Sequence, residues 1–340
     1  MNKAGRIILV TPRYAIAGGE VEVVCDGFTV DAEGDHGCFI GGEKCRVTAA
    51  SSDRVLAIVP DDVEGEISLY LESGGEQSEH YGVTIGSMLA DEMHIVANPV
   101  VDPKDDSLII TRSGSRGQSL PATLYRLETD GYLDEMSAVI MNPTGTAFDP
   151  SGNLFVTNRA AGEVCRIDRG EDVIQYATGL GVATGLAFDK LGQMYVGDRT
   201  GTIYRVPDFG NAEVFAVMEP SVSAYHIAFG PDGRLFVAAP GLASHDLIRA
   251  IDTSGNVETY ARGFGRPQGL AFDREGNLYS AACFKGKHGI VRIGGDTGET
   301  EMFVAGNNLV GLCFTRKGDM IVATNDTVYS LPLGIQGSLL

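Results

Sequence analysis

The hydrophobic pattern of this chain has the two-residue period of strands. In EVEVVC, Val21, Val23 and Cys25 fall on one face, and Glu20, Glu22 and Val24 on the other. VLAIVP (55–60) and EISLYLES (66–73) alternate in the same way, and Gly, Asp and Pro punctuate between them. Residues 6–85 therefore read as a small all-β sandwich, set within a first domain over 1–86.

After residue 86 the pattern becomes a repeat. Aligned on the residue before an apolar strand, its copies read G145-TAFDPSGNLFV, G185-LAFDKLGQMYV, H226-IAFGPDGRLFV, G269-LAFDREGNLYS and G311-LCFTRKGDMIV. A degenerate first copy starts at Asn98, and successive anchors lie 47, 40, 41, 43 and 42 residues apart. That spacing belongs to a four-stranded propeller blade. One blade cannot bury both of its faces, so the copies must stack around an axis. Six copies predict a six-bladed β-propeller over 87–340, which makes the fold class all-β throughout. Two segments compete to supply the outer strand of the last blade, the tail GIQGSLL and the stretch before Met93.

Within the repeat, Phe148, Phe188, Phe229, Phe272 and Phe314 are expected on the inner strand, packing between blades. Phe155, Tyr195, Phe236 and Tyr279 follow one strand out, and turns such as DPSGN need Gly for positive φ. An arginine recurs in the third strand (Arg126, Arg166, Arg205, Arg249, Arg292) and an aspartate in the turn (Asp102, Asp149, Asp189, Asp273). The expectation is an ion pair between them in most blades.

Two resemblances follow from these residues. P12-RYAIAGGEVEVVCDGF, with CFIGGEKCRV and LAIVP, resembles the IPT/TIG domain, an immunoglobulin-like sandwich. It implies a spacer or binding module and carries no catalytic residue. The GLAFDxxGNLYVxD runs followed by xIYRV resemble NHL-repeat propellers and, more loosely, the regucalcin/gluconolactonase superfamily. This second resemblance covers about 240 residues and implies fold more than activity, since such propellers host lactonases, lyases and pure binding proteins.

Charge narrows the partners. The chain has net charge −19, with 6 basic and 15 acidic groups in residues 1–86 and 20 and 30 in the remainder. Nucleic acid is not expected, because phosphate binding needs a basic footprint. No apolar run approaches the roughly 20 residues of a membrane helix, so no membrane partner is expected. Six cysteines without a CxxC or a paired framework suggest free thiols in a reducing compartment. The opening MNKAGRIILVTPRYAIAGGE lacks a proper signal peptide, so the expected location is cytoplasmic, or periplasmic or secreted if a leader was removed.

The enzyme reading is tested on particular positions. In gluconolactonase-like enzymes a divalent cation sits at the channel mouth, held by a glutamate near the first blade and by Asn and Asp before inner strands. The matching positions here are Ala97, Thr144, Thr184, Tyr225, Gln268 and Val310, and none is acidic or Asn. Glu92 is the glutamate near the first blade, without the family's Glu-Gly-Pro pattern. A channel cation therefore lacks its usual ligands, and no cofactor or metal site is predicted. Asn98 and Asn142 are adjacent in register and supply neutral amides. Streptogramin-lyase-like propellers use a channel histidine as base, which makes His226 the candidate catalytic residue. The alternative is that Tyr225 and His226 only fill the channel.

Loops on one face carry Arg112, Arg116, Arg159, Arg199, Arg266, Lys285, Lys287, His245 and His288, and make it mildly basic on an acidic protein. CFKGKHG holds Cys283 beside lysines and His288, either as a reactive loop or as a packed structural cysteine. The leading function is non-catalytic binding of a small polar or anionic molecule, or of another protein, at the channel mouth. The residues expected there are Asn98, Asn142, Thr144, Arg159, Thr184, Arg199, Tyr225, His226, Arg266 and Gln268. The alternative is a gluconolactonase-like hydrolase or a streptogramin-lyase-like enzyme using the same mouth.

Overall fold

The computed structural model describes residues 3–30, 34, 36–114, 118–242 and 245–338. Every regular element among them is a strand. In the N-terminal region two sheets share one core. The first orders Arg6–Thr11, Glu20–Asp26, Arg54–Ile58 and Arg46–Ala50. The second orders Tyr14–Ala15, Tyr81–Ile85, Gly65–Ser73, His36–Ile40 and Glu43–Lys44. Val21, Val23 and Cys25 point into the core against Cys38, Leu69, Leu71 and Val83. The alternation in EVEVVC is thus the alternation of a strand with one face buried.

The rest of the chain forms antiparallel four-strand meanders. Val100–Val101, Leu108–Thr111, Leu124–Leu127 and Leu133–Glu135 make the first. Pro143–Phe148, Leu154–Asn158, Glu163–Ile167 and Val173–Ala177 make the second. The third consists of Ala183–Phe188, Met194–Asp198, Thr202–Asp208 and Asn211–Val217. The fourth and fifth share one long bulged strand, Val257–Phe272, which closes one meander and opens the next. The sixth contains Leu309–Phe314, Asp319–Thr324 and Val328–Pro332, and its outer strand is Ser87–Ala90 from before the repeat. The stretch before Met93 therefore closes this sheet. The described part of the tail forms no strand; it makes an isolated bridge, Gly337 to Asp273, and single hydrogen bonds such as Ser338 N to Phe272 O at 2.9 Å.

Aromatic rings join the second to sixth meanders in succession. Phe155 meets Phe188 at 5.2 Å, Tyr195 meets Phe229 at 5.1 Å, Phe236 meets Phe272 at 4.7 Å and Tyr279 meets Phe314 at 5.2 Å. A fourth-strand ring completes each set: Tyr176, Phe215, Tyr260 and Phe303. Tilted and edge-on pairs of this kind each contribute about 1 kcal/mol beyond burial. The anchor glycines lie where inner strands touch. A Cβ on Gly145 would sit 2.7 Å from the Thr184 carbonyl oxygen, and one on Gly311 would sit 2.6 Å from that of Ala97. The sixth meander therefore packs against the first.

The expected Arg–Asp pairing in most blades is corrected. Arg126 does pair with Asp102 at 3.0 Å. Arg205 pairs instead with Glu213, Arg249 with Glu219 and Arg292 with Glu301. Arg166 makes no ion pair among the described residues, and its Nε is buried without a partner. The reason is register. Glu213 and Glu301 stand directly across from Arg205 and Arg292 on the neighbouring strand. The repeated aspartate is meanwhile occupied by its own turn. Asp149 Oδ1 accepts from Ser151 N at 2.9 Å and Asn153 N at 2.8 Å, and Oδ2 accepts from Asn153 Nδ2 at 2.8 Å. Asp273 repeats that pattern and also accepts from the Tyr279 hydroxyl at 3.0 Å. Gly152 takes the positive φ that such a turn needs, +75°.

The second N-terminal sheet and the fourth and fifth meanders form one continuous backbone ladder. Tyr14–Ala15 lies parallel to Thr84–Ile85 on one side and to Val304–Ala305 on the other. It covers the edge that Thr300–Ala305 would otherwise expose. Ile16 N donates to Ala305 O at 2.9 Å, Asn307 Nδ2 donates to Gly18 O at 2.7 Å, and Lys287 pairs with Glu22.

Candidate ligand site

A cavity lies between the fifth and sixth meanders. Its volume is about 580 Å³, within the usual range for small-molecule sites of roughly 300–1,000 Å³. Arg266 and Gln268 come from the long strand, and Cys283 and His288 from the next hairpin. Asn308, Leu309 and Val310 enter from the connection between the meanders, and Asn325 from the last hairpin. The walls combine a guanidinium, carboxamides, an imidazole and a thiol with apolar floor atoms, a set suited to orienting a polar molecule.

Backbone geometry makes this site. Arg266 and Asn308 both have left-handed φ, +48° and +57°, at the entrances to their inner strands. Arg266 N is held by Asp246 Oδ2 at 3.0 Å, while its side chain is exposed. Lys285 and Gly286, at φ +51° and +80°, form a two-residue turn of the kind that matches strand twist. That turn sets Cys283 directly opposite His288. Cross-strand partners of this kind have Cβ atoms about 4.5–5.5 Å apart.

The cysteines differ in their surroundings, and all six are free. Burial, followed by Glu163, pushes the Cys165 thiol up to about 12. Burial alone does the same for Cys313, to about 12. Burial and then Asp53 and Asp26 raise Cys25 to about 11. Cys38 is raised first by its hydrogen bond with Cys45, and both are buried. Cys283 is half-buried and lines the cavity. Iodoacetamide at about pH 8 is therefore expected to label Cys283 ahead of the other five, because only the thiolate reacts. Peptide mapping by mass spectrometry checks this, and the fast phase should vanish in Cys283→Ser.

The residues anticipated for the channel mouth fall into separate groups. Arg266 and Gln268 line the cavity. Asn98 is adjacent, but both ends of its amide are used: Nδ2 donates to Leu270 O at 3.0 Å, and Oδ1 accepts from Leu312 N at 3.1 Å. Thr144 and Thr184 are buried. Thr184 Oγ1 donates to Gly197 O at 3.2 Å and accepts from Tyr225 N at 2.9 Å, tying the third meander to the fourth. Tyr225 is buried among Ala187, Tyr195 and Ile203, and its hydroxyl donates to the Glu219 carbonyl. Burial and then Glu219 and Asp198 push that phenol up to about 12. His226 takes the anchor position of the fourth meander. It is buried, its Nε2 has no hydrogen-bond partner, and burial holds its imidazole down to about 4. At neutral pH it is uncharged and closed to solvent. Asn142, Arg159 and Arg199 gather on the second and third meanders, away from the cavity residues. Arg116 lies outside the described residues.

The cavity draws in Cys283 and His288, which the sequence had placed in the CFKGKHG loop, together with Asn308 and Asn325, which it had not singled out. CFKGKHG was a visible signal, and the Asn-Asn before the last inner strand was another, since Asn tolerates left-handed φ. Among the described residues, no group of three or more His, Cys, Asp or Glu side chains is placed to hold a metal ion.

No protein-family model matches the chain, and no curated protein matches it in sequence. Solved structures do match in fold. A gluconolactonase from Xanthomonas campestris is 17% identical with a TM-score of 0.58, covering 72% of this chain and 88% of its own. A virginiamycin B lyase from Staphylococcus aureus is 15% identical with a TM-score of 0.51, covering 73% and 98%. An auxiliary nutrient binding protein from Bacteroides ovatus is 14% identical with a TM-score of 0.54, covering 97% and 98%. At these identities the likeness is one of fold: an all-β chain whose meanders form a β-propeller like those of gluconolactonases and streptogramin B lyases.

Proposed function

We propose that the chain is a binding protein made of an IPT/TIG-like, immunoglobulin-type sandwich (1–86) and a six-bladed propeller (87–340). It takes a small polar or anionic molecule into the cavity between the fifth and sixth blades. The observation that carries this reading is the cavity itself, about 580 Å³, with Arg266, Gln268, His288, Asn308 and Asn325 converging on it. A guanidinium and several carboxamides recognise carboxylate and hydroxyl groups together, which fits a sugar acid. The likeness along nearly the whole chain to an auxiliary nutrient binding protein supports the same reading.

A second reading has its own support: the likeness to a gluconolactonase and a streptogramin-type lyase favours turnover at the same face. Calorimetric titration with gluconate tests the first reading. Saturable binding is expected, weakened at least tenfold in Arg266→Ala. No binding of gluconate, or binding indifferent to Arg266→Ala, counts against this pocket. Hydrolysis of gluconolactone dependent on added calcium, zinc or manganese would replace binding by catalysis.

A further inference from the structure

The rim of the second and third meanders holds a feature that the cavity does not use. Arg159 and Arg199 occupy the same position in successive meanders, the first residue after Leu154–Asn158 and after Met194–Asp198. Their turns are laced together. Leu180 N donates to Gly162 O at 2.9 Å, Val182 N donates to Asp198 Oδ1 at 2.9 Å, and Arg199 N donates to Val182 O at 3.2 Å. The packing is tight enough that a Cβ on Gly162 would lie 2.3 Å from the Gly181 carbonyl oxygen. Both arginines are half-buried. Burial and then the charge of Arg199 lower the pKa of the Arg159 guanidinium.

Among the described residues no carboxylate offsets this pair: ten ion pairs form elsewhere, and neither arginine takes part in one. The nearest acids are already engaged. Asp198 accepts from Val182 N, Thr200 N and the Thr200 hydroxyl. Glu163 accepts from Asn158 Nδ2 and Gln175 Nε2. Beside Arg159, whose N–H donates to Asn142 O at 3.4 Å, the Asn142 Oδ1 is buried without a partner. Two unpaired guanidinium forks are complementary to a doubly charged oxyanion, and the unpartnered Asn142 acceptor can in addition take the O–H of a hydrogen phosphate.

We propose that Arg159 and Arg199 form a seat for a compact doubly charged oxyanion, a hydrogen phosphate group or a dicarboxylate, distinct from the cavity between the fifth and sixth meanders. Each guanidinium offers a bidentate fork, and bringing in the anion removes the repulsion between them. On a chain with net charge −19, such a seat selects its ligand by local geometry rather than by the overall field.

The test is calorimetry of the full chain with inorganic phosphate, with malonate, and with acetate as a singly charged control, at fixed ionic strength. Saturable binding of phosphate or malonate is expected, with acetate at least tenfold weaker. Arg159→Gln and Arg199→Gln should each weaken it at least tenfold, and Arg159→Lys less, because the charge remains while the fork is lost. A phosphate-only result assigns a phosphate group, and a malonate-only result a dicarboxylate. Urea midpoints of the variants show that they fold, and the lysine variant serves if a glutamine variant does not. Arg266→Ala should leave this binding unchanged, which separates it from the cavity. Absence of saturable binding by either dianion, or binding that persists in the Arg159→Gln/Arg199→Gln double variant, overturns the seat.

Discussion

Asn98→Ala should destabilise the protein by about 4 kcal/mol, because it strands two buried backbone groups at about 1–3 kcal/mol each and opens a small gap. One group is the carbonyl of Leu270 in the fifth meander, and the other is the N–H of Leu312 in the sixth. Both residues are buried, so water cannot replace the lost amide. Asn98 starts the first repeat, and its carbonyl also accepts from Thr146 in the second at 3.4 Å. One side chain therefore spans the place where the last meanders meet the first. Asn98→Asp is expected to be nearly as damaging, since a carboxylate can accept from Leu312 N but repels Leu270 O. Urea unfolding measures this: the midpoint should fall sharply at unchanged slope. A ligand-facing asparagine would leave the midpoint within about 0.5 kcal/mol of wild type, the usual range for surface positions.

Acidification below neutrality should cost about 3 kcal/mol of stability through His226 alone, since a tenfold change in proton affinity is worth about 1.4 kcal/mol. Its imidazole is held down to about 4 in the folded protein by burial, against 6.5 when free. The unfolded chain therefore binds the proton more tightly, and stability rises with pH across that window. The contribution is fully present above pH 6.5 and is lost progressively as pH falls towards 4. The carboxylates with lowered values, Asp105 and Asp252, act below their ordinary 3.8 and so do not overlap this step. His226→Leu should flatten the profile between pH 4 and 6.5 and leave the variant more stable than wild type at pH 5. Nothing is stranded by that change, because His226 Nε2 has no partner to lose. Equal slopes for wild type and His226→Leu in this range would show that the ring is not buried neutral.

These two residues show how much of the site was legible. Both stand out in the sequence because they break a glycine template, and both do lie where inner strands meet. Their chemistry was not legible, because it depends on what the neighbouring sheets bring. Asn98 faces Leu270 and Leu312, which are 172 and 214 residues away along the chain. The arginine repeat teaches the same lesson. Two of its partners follow from strand register, which puts Glu213 and Glu301 opposite Arg205 and Arg292, while Arg126 and Arg249 reach Asp102 and Glu219 away from their register positions. The turn aspartates were instead consumed locally, within a hairpin whose sequence already encoded its own hydrogen bonds.

What the chain specifies alone is local and periodic: the two-residue alternation of EVEVVC, the glycine turns, and aromatics recurring every 40–43 residues. Each follows from forces that act within one strand or one hairpin, so a single repeat suffices to encode it. The tertiary structure decided the rest. It chose Ser87–Ala90 as the closing strand and let Tyr14–Ala15 bridge two regions. It built a cavity from the fifth and sixth meanders, and it laced together the turns that carry Arg159 and Arg199. Those outcomes depend on contacts between distant segments, and residues within one segment carry no record of which distant surface they will meet.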